Sequence, residues 1–167
     1  MSVGLVNPKN VSNVGSVMRA SGCFGVSRVW YSGERYQRAR RFATDTKNAA
    51  ESIPLQHTES FFESLDADTK TVCIELVEGA IALPDYQHPL HVCYLFGPED
   101  GSLSQSMIDR ADDVVFIPSI GCLNLAASVN VVLYDRQAKL GCLTNRETDD
   151  ELIARSRDGN NNLKLKR

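Results

Sequence analysis

Short apolar runs alternate along the chain with segments of helical periodicity. Runs rich in β-branched residues predict β-strands at residues 3–6, 27–31, 71–76, 92–96 and 114–117. The intervening periodic segments predict helices at residues 11–23, 60–67, 103–110 and 123–140. Strands that are separated by helices form a mostly parallel sheet with helices on both faces, so the pattern predicts an α/β fold.

Local signals support the ends of two of these helices. Gly22 and Gly25 punctuate the end of the helix at 11–23. Ser60 and Glu63 have the spacing of a capping box, which favours a helix start at Ser60. By contrast, residues 34–48 are polar and basic and show no clean apolar stripe, so no helix is predicted there.

The last predicted helix is apolar almost all round. From Leu123 to Tyr134, only Asn124, Ser128 and Asn130 are polar. A helix on the surface of a monomer shows a single apolar stripe, so a helix of this kind needs two partners. The sheet covers one side, and we predict that the other side meets a second subunit in a homodimer.

Length and charge indicate a single domain without a bulk charge for binding nucleic acid. The chain has 167 residues and a formal net charge of -3, so any RNA site must be a local basic patch. We expect one domain over residues 1–155. Residues 156–167 are rich in asparagine and then basic, and we expect a flexible tail there.

Cysteine and histidine spacing gives no indication of a metal site. The five cysteines include no CxxC pair, which favours a reducing cytoplasm over a disulfide framework. His88 and His91 flank Pro89 and have no ligand-type neighbours, so a turn is the better interpretation and no metal is predicted. No apolar stretch approaches the roughly 18 residues of a membrane span, and no signal peptide is evident.

The first of three unusual loops runs from residue 7 into the predicted helix at 11–23. It follows a strand, at the edge of a parallel sheet where ligands bind. Asn13 stands near the helix start, where asparagine often only caps. Arg19 lies inside an otherwise small and apolar stretch, as either a salt-bridged structural residue or one that reads an anion.

The second and third loops follow two later strands. Residues 96–104 contain two glycines and a proline that fix a tight backbone, together with Glu99, either a functional carboxylate or a structural one. Residues 117–126 lead into a helix of small residues, which allow close approach of a ligand or of another segment. Neither GxGxxG nor a Walker motif is present, so a phosphate-binding nucleotide loop is not supported.

Together, the three loops resemble the three motifs of the SpoU/TrmH family of RNA ribose methyltransferases in the SPOUT superfamily. The resemblance covers residues 3–140, with the motifs in order and each after a predicted strand. The matching segments are Asn13-x-Gly15-x-x-x-Arg19, then Phe96-Gly97-Pro98-Glu99 with Gly101 and Leu103, and finally Ile117-Pro118 followed by Cys122-Leu123-Asn124-Leu125.

This resemblance implies features that composition does not show. The fold would contain a deep C-terminal trefoil knot, an exception among protein topologies. The knot loops would bind S-adenosylmethionine, and both subunits of a dimer would shape the site. The implied cofactor-binding residues are Leu76, Gly97, Ile117, Cys122, Leu123 and Ala126.

Arg19 carries the central catalytic role that the resemblance implies. Relatives are described with this arginine as general base, but an arginine side chain is effectively always protonated. We expect Arg19 to stabilise the developing alkoxide or to orient a neighbouring phosphate, while the proton leaves through phosphate or water. The supporting residues would be Asn13, Glu99 and Asn124, for which the alternative is helix capping or turn structure.

Cys122 departs from the family pattern, which usually has serine at this position. A thiol is a weaker hydrogen-bond donor and acceptor than a hydroxyl, so Cys122 would support a role of that hydroxyl less well than serine does. A reactive thiol is the less favoured alternative, because no histidine lies near Cys122 in the sequence.

A basic and aromatic stretch follows the second predicted strand. Its cations are Arg35, Arg38, Arg40, Arg41 and Lys47, interleaved with Tyr31, Tyr36 and Phe42. Cations for phosphates and rings for stacking on bases are typical of RNA-binding surfaces. The alternative is a solvated, charged helix face. We favour RNA contact through Arg35, Arg38, Arg40 and Arg41.

We expect tRNA rather than rRNA as the RNA substrate. The chain shows no appended RNA-binding module, which favours tRNA over rRNA as the substrate. One rival hypothesis is a catalytically silent, knotted RNA-binding module, which Cys122 supports. The other is a doubly wound enzyme that binds a small nucleotide and would need the phosphate loop that is missing.

Overall fold

The computed structural model describes residues 1–40, 53–141, 148–157, 159–161 and 163–165. These residues contain the strands β1 (Ser2–Leu5), β2 (Arg28–Tyr31), β3 (Leu55–His57), β4 (Lys70–Ile74), β5 (Ile81–Ala82), β6 (Val92–Phe96) and β7 (Asp113–Phe116). They form one sheet in the order β3-β2-β1-β6-β4-β7-β5, and every neighbouring pair is parallel. The predicted α/β class is confirmed.

Helices connect most of the strands. They are α1 (Val11–Cys23), α2 (Arg35–Arg40), α3 (Phe61–Ser64), α4 (Gln105–Arg110), α5 (Leu125–Leu140) and α6 (Asp149–Ser156). α1 has its predicted bounds because Asn10 caps it. The Asn10 side chain accepts hydrogen bonds from the backbone N–H groups of Ser12 and Asn13, at 2.8 and 3.3 Å.

The elements that the sequence missed are short. β3 has 3 residues and β5 has 2, too few for a hydrophobic period to appear. α2 lies in the basic stretch without an apolar stripe. α6 was missed although Thr148 and Glu151 form a reciprocal capping box at its start.

The capping box predicted at Ser60 is absent. Ser60 is the N-cap residue of α3, but its side chain makes no capping hydrogen bond, and the helix ends at Ser64 rather than near residue 67. The hydroxyl of Thr58 organises this turn instead. Its Oγ1 accepts from the Ser60 backbone N–H at 3.1 Å and lies 2.7 Å from Ser64 Oγ.

Helices cover both faces of the sheet, as the alternating pattern predicts. On one face, Val14 and Val17 of α1 pack with Val129 and Val132 of α5 in the larger buried cluster. On the other face, Phe61, Cys73, Cys93, Leu95 and Leu103 form a second cluster below α3 and α4. A Cβ on Gly4 would lie 2.5 Å from Leu95 Cδ2, so β1 needs a glycine there.

A buried polar network fixes α5 to the loop before β6. The His88 side chain is fully buried, with Nε2 2.8 Å from Asp135 Oδ2 and Nδ1 2.6 Å from Tyr94 Oη. A carboxylate only accepts, so Nε2–H donates to Asp135 and Nδ1 accepts from the Tyr94 hydroxyl. Burial lowers the pKa of His88, although the Asp135 carboxylate opposes that shift. The imidazole is therefore a neutral structural residue and not a metal ligand.

α5 buries one side and leaves an apolar surface on the other. Val129, Val132 and Leu133 are fully buried, whereas Tyr134 on the opposite face is 65% exposed and Val131 is 39% exposed. The two-sided apolar pattern read from the sequence is therefore real. Within the described residues, no helix is long and apolar enough to cross a membrane. The knot stays a prediction.

Candidate active site

A pocket of about 670 Å³ lies at the carboxyl edge of the sheet. β6, β4 and β7 are adjacent and parallel, so the loops that follow them meet at this edge. These three loops line the pocket together with the start of α1 and the start of α5. The volume falls within the range of about 300–1,000 Å³ that is typical of small-molecule sites.

Glu99 connects the loop after β6 to the loop after β1. Its carboxylate accepts hydrogen bonds from the backbone N–H groups of Lys9 at 2.9 Å and Asn10 at 3.1 Å, and from Asn13 Nδ2 at 3.1 Å. Burial raises the pKa of Glu99, but these hydrogen bonds outweigh burial and hold the pKa below its ordinary value. Glu99 is therefore an ionised acceptor.

Asn13 continues the connection to the third loop. Its Oδ1 accepts from Asn124 Nδ2 at 3.0 Å. Asn124 in turn caps α5, because its Oδ1 accepts from the Ala127 backbone N–H at 3.0 Å. Since Asn10 caps α1, Asn13 is free for this contact. Glu99, Asn13 and Asn124 form a chain of hydrogen bonds, hereafter the polar trio. The polar trio joins the three segments that follow β1, β6 and β7, which are the three motif loops.

Most residues predicted to bind a cofactor line the pocket. They are Leu76, Gly97, Ile117, Cys122 and Leu123. Ala126 does not line it, because that position of α5 faces the sheet and is buried in the core. Cys122 is an exposed free thiol at the pocket wall.

Glu75 is a pocket residue that the sequence analysis missed. It directly follows β4, and its Oε2 accepts from the Leu103 backbone N–H at 2.9 Å. A Cβ on Gly97 would lie 3.4 Å from the same oxygen, so Glu75 and Gly97 are closely packed. Ser119 and Ser128 also line the pocket. Their positions depend on the long-range loop arrangement, which local sequence patterns do not report.

The pocket is acidic. Among the described residues that line it, Glu75, Glu99 and Asp100 carry carboxylates, and none is basic. A phosphate-bearing ligand requires cations or a glycine-rich anion loop, whereas a cationic ligand is favoured beside carboxylates. The lining therefore disagrees with the hypothesis of a small-nucleotide enzyme.

Arg19 lies away from the polar trio. Each residue of an α-helix advances about 1.5 Å and turns about 100°, so Arg19 lies roughly 9 Å further along α1 than Asn13 and about 120° around it. Arg19 is exposed and makes no hydrogen bond or ion pair with any described residue. The exposed face that it centres consists otherwise of small residues, namely Ser12, Gly15, Ser16, Gly22 and Cys23.

The predicted RNA-binding arginines are only partly free. Arg35 forms a bidentate ion pair with Asp100 at 2.9 and 3.0 Å. Arg38 pairs with Glu34 one helical turn earlier. Arg40 is exposed, without an ion pair to a described residue. Arg41 and Lys47 lie outside the described residues.

The aromatic part of the predicted RNA surface needs correction. Tyr31 and Tyr36 are buried and pack edge to face with ring centroids 5.0 Å apart. Their rings belong to the core below α2, so they are not available to stack on bases. Phe42 lies outside the described residues. The described part of this stretch therefore offers cations without exposed rings.

The histidines and carboxylates do not assemble a metal site in the described part of the chain. No group of three or more histidine, cysteine, aspartate or glutamate side chains is placed to hold an ion there. His88 is buried in its network with Tyr94 and Asp135. His91 lies on the surface near Asp68, with Nδ1 to Oδ2 at 3.3 Å.

Comparison with known proteins gives one family. The model of the SpoU rRNA Methylase family matches residues 1–134. No curated protein sequence matches the chain. Among solved structures, one from a study of the 2-OH methylation of C/U34 on tRNA is 22% identical, with a TM-score of 0.70. The match covers 84% of this chain and 90% of that chain.

Two further structures share the fold. The TrmH/SpoU tRNA modifying enzyme of A. aeolicus is 16% identical with a TM-score of 0.67, over 91% of this chain and 83% of its own. The SpoU methyltransferase AviRb from Streptomyces viridochromogenes, solved with AdoMet, is 21% identical with a TM-score of 0.67. That match covers 84% of this chain and 57% of AviRb. At these identities, the likeness shows the fold.

Proposed function

Because the chain belongs to the SpoU rRNA Methylase family of RNA methyltransferases, we propose that it transfers a methyl group from S-adenosylmethionine to a ribose 2′-hydroxyl of RNA. The observation that carries this proposal is the polar trio. Glu99, Asn13 and Asn124 hydrogen-bond the three motif loops to one another at the wall of the pocket.

The pocket fits the cofactor in size, polarity and charge. Leu76, Ile117 and Leu123 supply apolar surface for the adenine, and Glu75 and Glu99 supply negative charge. S-adenosylmethionine carries a positive sulfonium, which suits a pocket lined by carboxylates. The cofactor supplies an activated methyl group. We assign its binding to Leu76, Gly97, Ile117, Cys122 and Leu123.

The residues of the chain must hold the ribose oxygen in line with the methyl group and stabilise its negative charge as the proton leaves. The polar trio fixes the three loops in one arrangement, because each member is held by at least two hydrogen bonds. Arg19 provides the permanent positive charge beside the developing alkoxide. The proton leaves to a phosphate or to water.

Arg19 does not line the pocket of its own chain, and our proposal is that a second copy brings its Arg19 to this pocket. The outer face of α5 is the proposed contact. Val131 and Tyr134 border an apolar groove of about 530 Å³, which Phe24, Leu83 and Pro118 also line. In a homodimer, the unpaired apolar side of α5 gains the second partner that its sequence pattern requires.

We favour tRNA over rRNA as the substrate, in the cytoplasm where tRNA is modified. The support is the structure from the study of methylation of C/U34 on tRNA, of which this chain covers 90%. Pyrimidines at position 34 are accordingly the first nucleotides to examine.

The test is transfer of labelled methyl from S-adenosylmethionine to total RNA from a cell that lacks this protein. A methylated 2′-oxygen blocks alkaline cleavage, so we expect the label in alkali-resistant dinucleotides, and in tRNA rather than rRNA. The Arg19→Ala variant should lose at least about a hundredfold in rate, in line with loss of an oxyanion-stabilising group. Label in alkali-sensitive nucleotides would contradict ribose methylation, and near-normal turnover of Arg19→Ala would contradict the role of Arg19.

Cys122 favours a second candidate, a knotted RNA-binding module without catalysis. It lines the pocket where the family usually has serine. The Cys122→Ser variant separates the two candidates. If cysteine has silenced the site, the wild type transfers no methyl group and Cys122→Ser gains transfer. Measurable turnover by the wild type excludes the silent module.

A further inference from the structure

Two cations converge on one carboxylate at the mouth of the pocket. Lys9 Nζ lies 3.0 Å from Asp100 Oδ2, and the Arg35 guanidinium lies 2.9 Å from Asp100 Oδ1 and 3.0 Å from Oδ2. Lys9 belongs to the loop after β1, Arg35 begins α2, and Asp100 belongs to the loop after β6. Three segments distant in sequence thus meet through this one charged cluster.

The cluster is directly connected to the polar trio. The backbone N–H of Lys9 donates to Glu99, and Asp100 is the next residue after Glu99. Asp100 also lines the pocket. Lys9 and Arg35 therefore lie at the edge of the pocket to which the proposed substrate presents its ribose.

The geometry of the cluster suits a phosphate as well as a carboxylate. A guanidinium binds two oxygens of either group through parallel N–H donors, and an ammonium adds a point charge. A phosphodiester shares one negative charge between two oxygens, as the Asp100 carboxylate does.

The existing ion pairs are weak enough to be exchanged. The side chains of Lys9, Arg35 and Asp100 are 50%, 32% and 48% exposed. Exposed ion pairs contribute little to stability, because water already solvates both charges. Hydrogen bonds from Lys9 and Arg35 hold the pKa of Asp100 below its ordinary value, so its carboxylate is charged at neutral pH.

We propose that Lys9 and Arg35 form a binding site for a backbone phosphate of the RNA substrate, and that Asp100 occupies this site until the RNA displaces it. The inference rests on the proposed function and adds the substrate group that these two cations recognise. Asp100 acts as an internal competitor that lowers the affinity of the two cations for every anion, so an anion binds tightly only when it gains further contacts in the pocket.

The test compares Asp100→Asn with a matched control, Glu34→Gln. Each variant removes one exposed carboxylate that pairs with an arginine of α2, so each changes the net charge equally. The probe is an unmodified, fluorescently labelled tRNA transcript without cofactor, followed by fluorescence anisotropy. We expect Asp100→Asn to bind it about twofold to fivefold more tightly, the factor that corresponds to loss of an exposed competing ion pair. Glu34→Gln frees Arg38, which does not line the pocket, and should therefore tighten binding by less than Asp100→Asn does.

Variants of the two cations complete the design. Lys9→Gln and Arg35→Gln should each weaken binding and lower the slope of log affinity against log salt by about 0.7 to 1. In an Arg35→Gln background, Asp100→Asn should gain less than it does alone, because one of the two freed donors is missing.

Three results would overturn the inference. In the first, Asp100→Asn binds the tRNA no more tightly than the wild type does. In the second, Glu34→Gln tightens tRNA binding as much as Asp100→Asn does. In the third, Lys9→Gln and Arg35→Gln both keep the salt dependence of the wild type. If any of these results is found while the wild type still transfers methyl groups to RNA, the phosphate site is contradicted and the proposed function is not. If the variants bind tRNA as expected but the wild type transfers no methyl group, the proposed function is contradicted and the phosphate site is not.

Discussion

At the scale of single residues, the site depends on Glu99 being charged. Three N–H groups from the loop after β1 and the start of α1 point at its carboxylate. When an amide nitrogen replaces one of the two oxygens, the N–H groups that pointed at that oxygen lose their acceptor. The same residue is thus an anchor for the polar trio and an ionisable group whose charge the fold favours.

Glu99→Gln should destabilise the protein by about 1–3 kcal/mol at neutral pH, because the new amide faces N–H donors and leaves them unpaired. Urea unfolding measures the difference, with Glu78→Gln on the surface as the control. The native pKa of Glu99 lies below its ordinary value of 4.5, so its contribution is complete above that pH and is lost as the pH falls further. If the difference in unfolding free energy between the wild type and Glu99→Gln does not shrink in acid, the charge of Glu99 is not the cause of that difference.

His88 gives a separate dependence on pH. Burial lowers its native pKa below the ordinary 6.5, so the unfolded chain takes up a proton first as the pH falls. Its contribution is therefore present above 6.5 and declines in acid. We expect the unfolding free energy of wild type to fall between pH 7 and pH 5 and that of His88→Gln to fall less. His91→Gln, at the surface, is the control and should follow the wild type.

At the scale of elements, the helices and strands that were predicted correctly are those marked by a local sequence pattern. The bounds of α1 and β6 agree with the prediction, since a cap and a continuous apolar run mark them. β3 and β5 were missed because edge strands of 3 and 2 residues have no period. The Ser60 capping box failed because the neighbouring Thr58 hydroxyl makes the competing hydrogen bonds.

The two-sided apolar character of α5 makes a testable prediction about assembly. Tyr134→Arg places a charge in the proposed contact and should shift the protein from dimer to monomer in analytical ultracentrifugation. Leu90→Arg is the matched control, because Leu90 is similarly exposed at 72% but lies outside the groove. A dimer that survives Tyr134→Arg but not Leu90→Arg would place the contact elsewhere.

At the scale of the whole molecule, the strand order creates the site. β6, β4 and β7 are distant in the sequence but adjacent in the sheet, and this adjacency brings Gly97, Leu76 and Leu123 into one pocket. The family resemblance implied these three residues. Glu75 and the Lys9–Asp100–Arg35 cluster were not, because only the folded chain shows which loops are neighbours.

The position of Arg19 leads to the central claim, a catalytic site that takes its pocket from one copy and its arginine from the other. The direct test mixes two inactive variants. Arg19→Ala removes the charge and leaves the pocket intact, whereas Leu123→Arg blocks the pocket at a partly exposed wall position. In a mixed dimer, one site regains an intact pocket and an intact Arg19.

Methyl transfer from S-adenosylmethionine to tRNA is the measurement, after the two variants are unfolded together and refolded at equal concentration. Random pairing makes half of the dimers mixed with one working site each, so we predict recovery of about a quarter of the wild-type rate. Each variant refolded alone should stay inactive. A mixture that is as inactive as its components would contradict a site shared between two copies, and substantial activity of Arg19→Ala alone would contradict the catalytic role of that arginine.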